Sequence, residues 1–245
     1  MKQPQVHQRT LLLIFVAAAI LVAAAPFAGA SGITCRNGPG CLNGSYFIDW
    51  ATNYGPPYSP IPNGSLASFN FPFSAWVYFA GGGDGERRDE GNGWAGNFTN
   101  GDALLWTNSP GQGPLILHIQ GSSRKSAIGI GANIQTHFYG PFTALIQEFD
   151  RDGNLVDSFS EDGYSNPNGD GSAIFIGLLN DHVPFHELEF QFSITSCAFD
   201  CNDFAINQLD IAWHYGVPEP ASLVLLGTGL FGVAGVTRKR LGRRS

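Results

Sequence analysis

From Leu115 onward, apolar and polar residues alternate along the chain with a period of two. Leu115, Leu117 and Ile119 interleave with Ile116, His118 and Gln120. Ile128, Ile130, Ala132 and Ile134 interleave with Gly129, Gly131, Asn133 and Gln135. Leu188, Phe190, Phe192 and Ile194 do the same with Glu187, Glu189, Gln191 and Ser193. Such a period sends one set to a core and the other to water, so each segment predicts a strand. Residues 173–179 predict a more fully buried strand. Residues 142–149 mix their phases. In 204–211, Phe204 and Ile206 fall out of step with Leu209 and Ile211, the slip that a β-bulge produces. Residues 69–79 predict a further strand, which Pro72 places at an edge or marks with a bulge.

Turn signals separate these runs. Asp150-Arg151-Asp152-Gly153-Asn154 predicts a hairpin in which Gly153 supplies a left-handed residue, and 166–171 predict a longer loop. Residues 31–72 carry Pro56, Pro57, Pro60, Pro62 and scattered aromatics (Tyr46, Phe47, Trp50, Tyr54, Tyr58), which predict lids or short strands on a sheet surface. The charged, glycine-rich run 81–91 predicts a solvated connection. No segment of the body keeps a helical period. Short strands with such turns predict an all-β fold, an antiparallel β-sandwich of jelly-roll type.

Both ends read as addresses. Lys2, His7 and Arg9 precede a 15-residue apolar run from Leu11 to Ala25, followed by Ala28-Gly29-Ala30. A charged start, a short apolar stretch and small residues at a cleavage site predict a signal peptide over 1–30, with the mature chain starting at Ser31. A spanning helix needs about 20 residues. At the other end Val217-Pro218-Glu219-Pro220 precedes 17 uncharged residues from Ala221 to Thr237, with Leu226 and Leu230 inside the run. Arg238, Lys239, Arg240, Arg243 and Arg244 follow, five positive charges in seven residues. The apolar run is at the low end for a transmembrane helix, and the basic cluster marks its cytoplasmic side. The organisation expected is thus a leader, a body over 31–216 and an anchor segment over 217–245.

The body holds 6 basic and 19 acidic residues, a net charge near −13, against −7 for the whole chain. That charge repels nucleic acid and anionic surfaces. Its four cysteines form two close pairs, Cys35 with Cys41 and Cys197 with Cys201. Export would place them in an oxidising compartment, so two local disulfides are expected, with cross-pairing between the ends as the rival.

The order of Val217-Pro218-Glu219-Pro220, apolar span and arginine-rich end resembles the sorting domain of PEP-CTERM proteins. The resemblance covers about the last 29 residues. It implies that Pro218, Glu219 and Pro220 are recognised by exosortase, a membrane enzyme that processes such tails. It also implies passage through the secretion translocon and signal peptidase, transient inner-membrane anchoring, and delivery to the surface or extracellular matrix of a Gram-negative bacterium. Within the body, 142–150, Gly153-Asn154-Leu155, 172–177 and 203–207 are similar to many PEP-CTERM bodies without an assigned catalytic role.

Catalytic signals are weak. There is no G-x-S-x-G elbow. His186-Glu187-Leu188-Glu189-Phe190 lacks the second histidine of a zinc-protease helix. Pro184 between His182 and His186 excludes a helix that would bring both to one metal. A non-enzymatic structural or adhesive body is therefore expected, without a cofactor. Calcium is the alternative ion: 150–154 has an acidic start but lacks the later glycine and glutamate of an EF-hand. Asp102, Asp203 and Asp210 are the loop carboxylates that remain for it. The alternative function is exopolysaccharide binding through Trp50, Tyr54, Tyr58, Trp76, Trp94 and Trp106, with a secreted hydrolase least favoured.

Overall fold

The computed structural model describes residues 33–35, 38–42, 46–68, 73–121, 125–179 and 187–215. The leader, the Val217–Pro220 motif, the apolar span, the basic cluster, His182 and His186 lie outside them. The first strands are β1 (Ile33–Cys35), β2 (Tyr46–Ile48), β3 (Pro60–Ile61), β4 (Ser65–Ser68), β5 (Phe73–Phe79), β6 (Gly85–Glu90), β7 (Gly93–Trp94) and β8 (Ala103–Trp106). Then come β9 (Leu115–Gly121), β10 (Lys125–Thr136), β11 (Gly140–Phe149), β12 (Leu155–Ser165), β13 (Ile174–Leu179), β14 (Glu187–Ser196), β15 (Phe204–Ile206) and β16 (Leu209–Tyr215). A single helical turn, α1, spans Trp50–Tyr54. Among the described residues no helix is long and apolar enough to cross a membrane.

Two sheets result. A six-stranded sheet has the order β12-β11-β14-β9-β5-β4. A ten-stranded sheet has the order β1-β13-β10-β15-β8-β6-β3, with β16 paired to β10 and β2, and β7 to β6. All pairings are antiparallel except the short β6–β7 contact. From β8 to β16 the chain passes repeatedly between the sheets, giving β8-β15-β10-β13 in one and β9-β14-β11-β12 in the other. Two interlocked Greek keys of this kind make a jelly roll.

The alternating segments form the core as their period requires. Leu115, Leu117 and Ile119 of β9, Ile130, Ala132 and Ile134 of β10, and Leu188, Phe190, Phe192 and Ile194 of β14 all enter one buried cluster. Strand β13 is buried through its four central residues. The 204–211 slip is also present. Ile206 faces Ile134 while Asp210 faces Gly131, so four steps on one strand oppose three on its partner. Asn133 N donates to Asn207 Oδ1 at 2.9 Å, and Asn207 N donates to Asn133 O at 3.1 Å, which satisfies the backbone across the irregularity. In the 150–154 hairpin Gly153 has φ 79° and donates to Asp150 O at 3.0 Å.

Four expectations need correction. Strand β11 does not mix its phases: Phe142, Ala144, Ile146 and Glu148 all point inward. Glu148, fully buried, occupies a position where hydrophobicity expects an apolar residue, while Leu145 and Phe149 take the other face. Strand β5 is internal, paired to both β4 and β9, and it begins after Pro72, which therefore does not confine it to an edge. Residues 85–90 are a strand rather than a solvated loop, because their charges are matched in place. Arg88 meets Glu86 at 2.7 Å and Arg87 meets Asp89 at 2.5 Å, with β3 and β8 on either side. Finally, Trp50 is no surface lid: it is fully buried. Asp49 caps α1 by accepting from Ala51 N at 3.0 Å, and Gly55, at φ 84°, closes it by donating to Ala51 O at 2.9 Å.

Cys197 and Cys201 form a disulfide with a Cα–Cα distance of 5.6 Å. Cys41 is also disulfide-bonded; the side chain of Cys35, its expected partner, lies outside the description. The Cys197–Cys201 bridge closes a short loop, so its entropic effect is at the low end of the range. Replacing both cysteines by serine is expected to lower stability by about 2 kcal/mol, read as a shift in the urea unfolding midpoint.

Candidate functional site

Strand β8 has a residue on each face of its sheet. Leu105 joins the main core, so its neighbours Leu104 and Trp106 point the other way. They pack with Trp94, Phe98, Ala173 and Ala205 into a second buried cluster. On this outer face the aromatic groups form a ribbon. The Arg88 guanidinium lies 4.2 Å from the Tyr58 ring centre and 4.7 Å from that of Trp106. His137 follows at 5.5 Å from Trp106, then Phe138 at 5.3 Å and Phe199 at 4.9 Å. Trp94 packs on His137 at 5.1 Å. The ends of the ribbon, Tyr58 and Phe199, are 55% and 80% exposed.

Where His137 and Phe138 meet Trp94 lies a groove of about 590 Å³ lined by Gly91, Gly93, Trp94, Ala95, His137, Phe138 and Tyr139. Its two walls are fixed separately and then tied together. One wall is the 91–98 loop. Gly96 N donates to Glu90 Oε1 at 2.9 Å, and Asn97 N donates to Gln135 Oε1 at 2.5 Å. Gly93 has φ 93°, and a Cβ there would fall 2.9 Å from Arg88 Cδ and 3.0 Å from Tyr58 Cζ, so only glycine fits. The other wall is the β10–β11 turn, His137 to Tyr139. The Tyr139 hydroxyl donates to Ala95 O at 3.0 Å and links the two walls.

His137 is oriented from below. Asp203 is fully buried, and its carboxylate accepts from Trp106 Nε1 at 2.6 Å and from His137 Nδ1 at 3.1 Å. Because a carboxylate only accepts, Nδ1 carries the proton, and Nε2 is the acceptor nitrogen of the neutral ring. The backbone reinforces the arrangement, since His137 N donates to Asp203 O at 3.0 Å.

Glu90, 4% exposed, sits under the loop wall. Burial raises its carboxyl above the ordinary glutamate value of 4.5, against the lowering effect of the Gly96, Gly91 and Phe98 N–H groups; nearby Asp102 adds to the rise. A raised carboxyl contributes stability that is present below the ordinary value and lost as pH climbs through the raised one. Glu90→Gln keeps an acceptor without the charge. It is expected to raise the melting temperature at pH 7 by about 2–4 °C, the response of a domain this size to about 1 kcal/mol. The gap from wild type should close below pH 4.5.

A second cleft of about 410 Å³ brings together Asp49, Asp102, Asp210, Arg87, Asn133 and Asn207 among its lining residues. Of the carboxylates named for calcium, Asp102 and Asp210 meet here, and Asp203 is instead tied to Trp106 and His137. Burial raises the Asp210 carboxyl, in part offset by the Gln208 amide. Among the described residues no group of three or more His, Cys, Asp or Glu could hold a metal ion. Asp150 spends its carboxylate on its own turn, accepting from Asp152 N at 2.9 Å and from Asn154 N at 2.8 Å.

The aromatics named from sequence divide. Trp50, Trp94 and Trp106 are buried, which corrects the reading of their faces as open sugar platforms; Trp94 still lines the groove from its wall. Tyr54 is half-buried and bonded to Ser65 at 2.9 Å, Trp76 is half-buried on β5, and Tyr58 is exposed. The residues that line the open groove, His137, Phe138 and Tyr139, escaped sequence reasoning. Their one local signal is three consecutive rings before Gly140, at the turn between two strand patterns.

No curated protein matches this chain. Solved structures similar to it include an isomalto-dextranase from Arthrobacter globiformis, at 13% identity over 56% of this chain, with a TM-score of 0.32. The chain spans 23% of that enzyme's length. A DUF4465 family protein from Bacteroides caccae aligns at 11% identity over 67% of this chain and 97% of its own, TM-score 0.37. A family 29 carbohydrate-binding module from Piromyces equi aligns at 11% identity over 63% and 89%, TM-score 0.29. The family model of the PEP-CTERM protein-sorting motif matches residues 216–240, which hold Pro218-Glu219-Pro220, the apolar run and the first basic residues, so the chain carries that sorting motif.

Proposed function

We propose that this chain is an exported surface or matrix protein, sorted and processed by an exosortase through residues 217–245, with a non-enzymatic body that works by adhesion. One observation carries the reading: the sorting motif matches from residue 216, directly after β16 ends at Tyr215. The β body therefore hands straight over to the tail. Passage through the translocon, cleavage near Ser31 and brief anchoring in the inner membrane complete the route. The reading of the body draws support from the chemistry of its groove, whose fixed aromatic and glycine walls suit holding a ligand.

Replacing Pro218, Glu219 and Pro220 together by alanine tests the reading. Cell fractionation is expected to find the wild-type chain at the surface or in the matrix, and the triple variant retained in the inner membrane. A variant that reaches the surface as efficiently as wild type would overturn the assignment.

A further inference from the structure

The geometry points to the groove between the 91–98 loop and the His137–Tyr139 turn as a binding site for a neutral polysaccharide. This assignment rests on reading the body as an adhesive module, and it names the ligand. Three features select the ligand class. First, the groove is open to solvent and presents the rings of His137, Phe138 and Tyr139, the last 50% exposed, with Trp94 in its wall, so ring surface is available to a polymer lying across it. Aromatic faces of this kind, rigid at low entropic cost, stack on the C–H faces of sugar rings.

Second, the groove has a positioned polar atom. Asp203, with both oxygens engaged, holds His137 by Nδ1. His137 is itself 43% exposed in its side chain, and among the described residues its Nε2 has no partner. An oriented acceptor beside a ring face matches a sugar, whose hydroxyls donate while its C–H face stacks. A purely apolar peptide side chain would leave that acceptor unsatisfied.

Third, charge excludes the rivals. The body carries a net charge near −13 from 6 basic and 19 acidic residues, so a polyanion is repelled. The ribbon's one guanidinium, Arg88, is already held by Glu86 at 2.7 Å. The Tyr139–Ala95 bond ties both walls before any ligand arrives, so little ordering is left for binding to supply.

The test is affinity electrophoresis of the full-length chain in non-ionic detergent, through gels containing dextran, mannan, xyloglucan or mixed-linkage β-glucan, with alginate as the anionic comparison. Retardation by at least one neutral polymer is expected. Phe138→Ala and His137→Phe should each weaken that retardation about tenfold, the first by removing a stacking face and the second by removing Nε2 while keeping a ring. Phe47→Ala, which removes an exposed ring on β2 away from the groove, should bind as wild type does. Melting temperatures of all three variants establish that each is folded, and Tyr139→Ala replaces either groove variant that is not. Retardation by no neutral polymer, retardation by alginate alone, or groove variants that bind like wild type would each overturn the assignment. A chain that is sorted normally yet retarded by no neutral polymer overturns the glycan site and leaves the sorting reading standing.

Discussion

Trp50→Ala is expected to destabilise the body by about 3–5 kcal/mol, the loss typical of a large aromatic removed from a packed core. The reason begins with α1, whose five residues are too few to be stable alone. What holds this turn is its side chains. Trp50 is fully buried among residues from both sheets, stacks on Tyr54 at 6.3 Å, and donates from Nε1 to Asn207 O at 2.6 Å. Asn207 sits at the register slip between β15 and β16, so the indole also fixes the point where the sheet changes step. Alanine would leave a cavity and an unpaired carbonyl together. Trp50→Phe restores most of the volume but not the donor, and should lose about 1–2 kcal/mol. Urea unfolding of the three proteins, with unchanged m-values, provides the comparison. A loss below about 1 kcal/mol for the alanine variant would mean that the ring does not occupy the core.

Asp203→Ala is the second large effect, at about 2–4 kcal/mol. The carboxylate is fully buried and serves two donors on different elements, Trp106 on β8 and His137 beyond β10. Its removal orphans a buried indole N–H and frees the His137 ring. Asp203→Asn separates the two consequences. The amide oxygen can still accept from Trp106, while its NH₂ must donate to Nδ1, which moves the His137 proton to Nε2. That variant should therefore keep more than half of the stability lost in Asp203→Ala, yet present a donor to the groove where the wild type presents an acceptor. NMR of the imidazole nitrogens reads the tautomer directly. A His137 tautomer identical in wild type and Asp203→Asn would contradict this account of the site.

The strands whose polar and apolar positions alternate strictly were legible because burial there follows the two-residue period. Leu115, Leu117, Ile119 and the Leu188–Ile194 set face the core as their spacing demands. Strand β11 was obscured by one residue, since Glu148 takes an inward position and inverts the apparent phase. Strand β6 was obscured by charge. Glu86, Arg87, Arg88 and Asp89 look solvated one at a time, and become a strand only when paired with one another and with the rings of Tyr58 and Trp106. The groove was hidden for a topological reason. Its lining draws on residues 91–95 and 137–139, which are far apart in sequence and are brought together by crossings between strands that no local pattern encodes. The sorting tail is the opposite case: its three parts are contiguous, so their order alone carries the signal.

The central claim is that the tail is a processed sorting signal, and mass spectrometry of the chain's C-terminus tests it most directly. Protein recovered from the cell surface of an exosortase-bearing strain should lack every peptide covering Ala221 to Thr237 and the basic residues beyond. The same protein from an exosortase-deficient strain should keep those peptides and remain with the inner membrane. Surface material from the exosortase-bearing strain that still ends in an intact Arg238-to-Arg244 cluster would contradict the account.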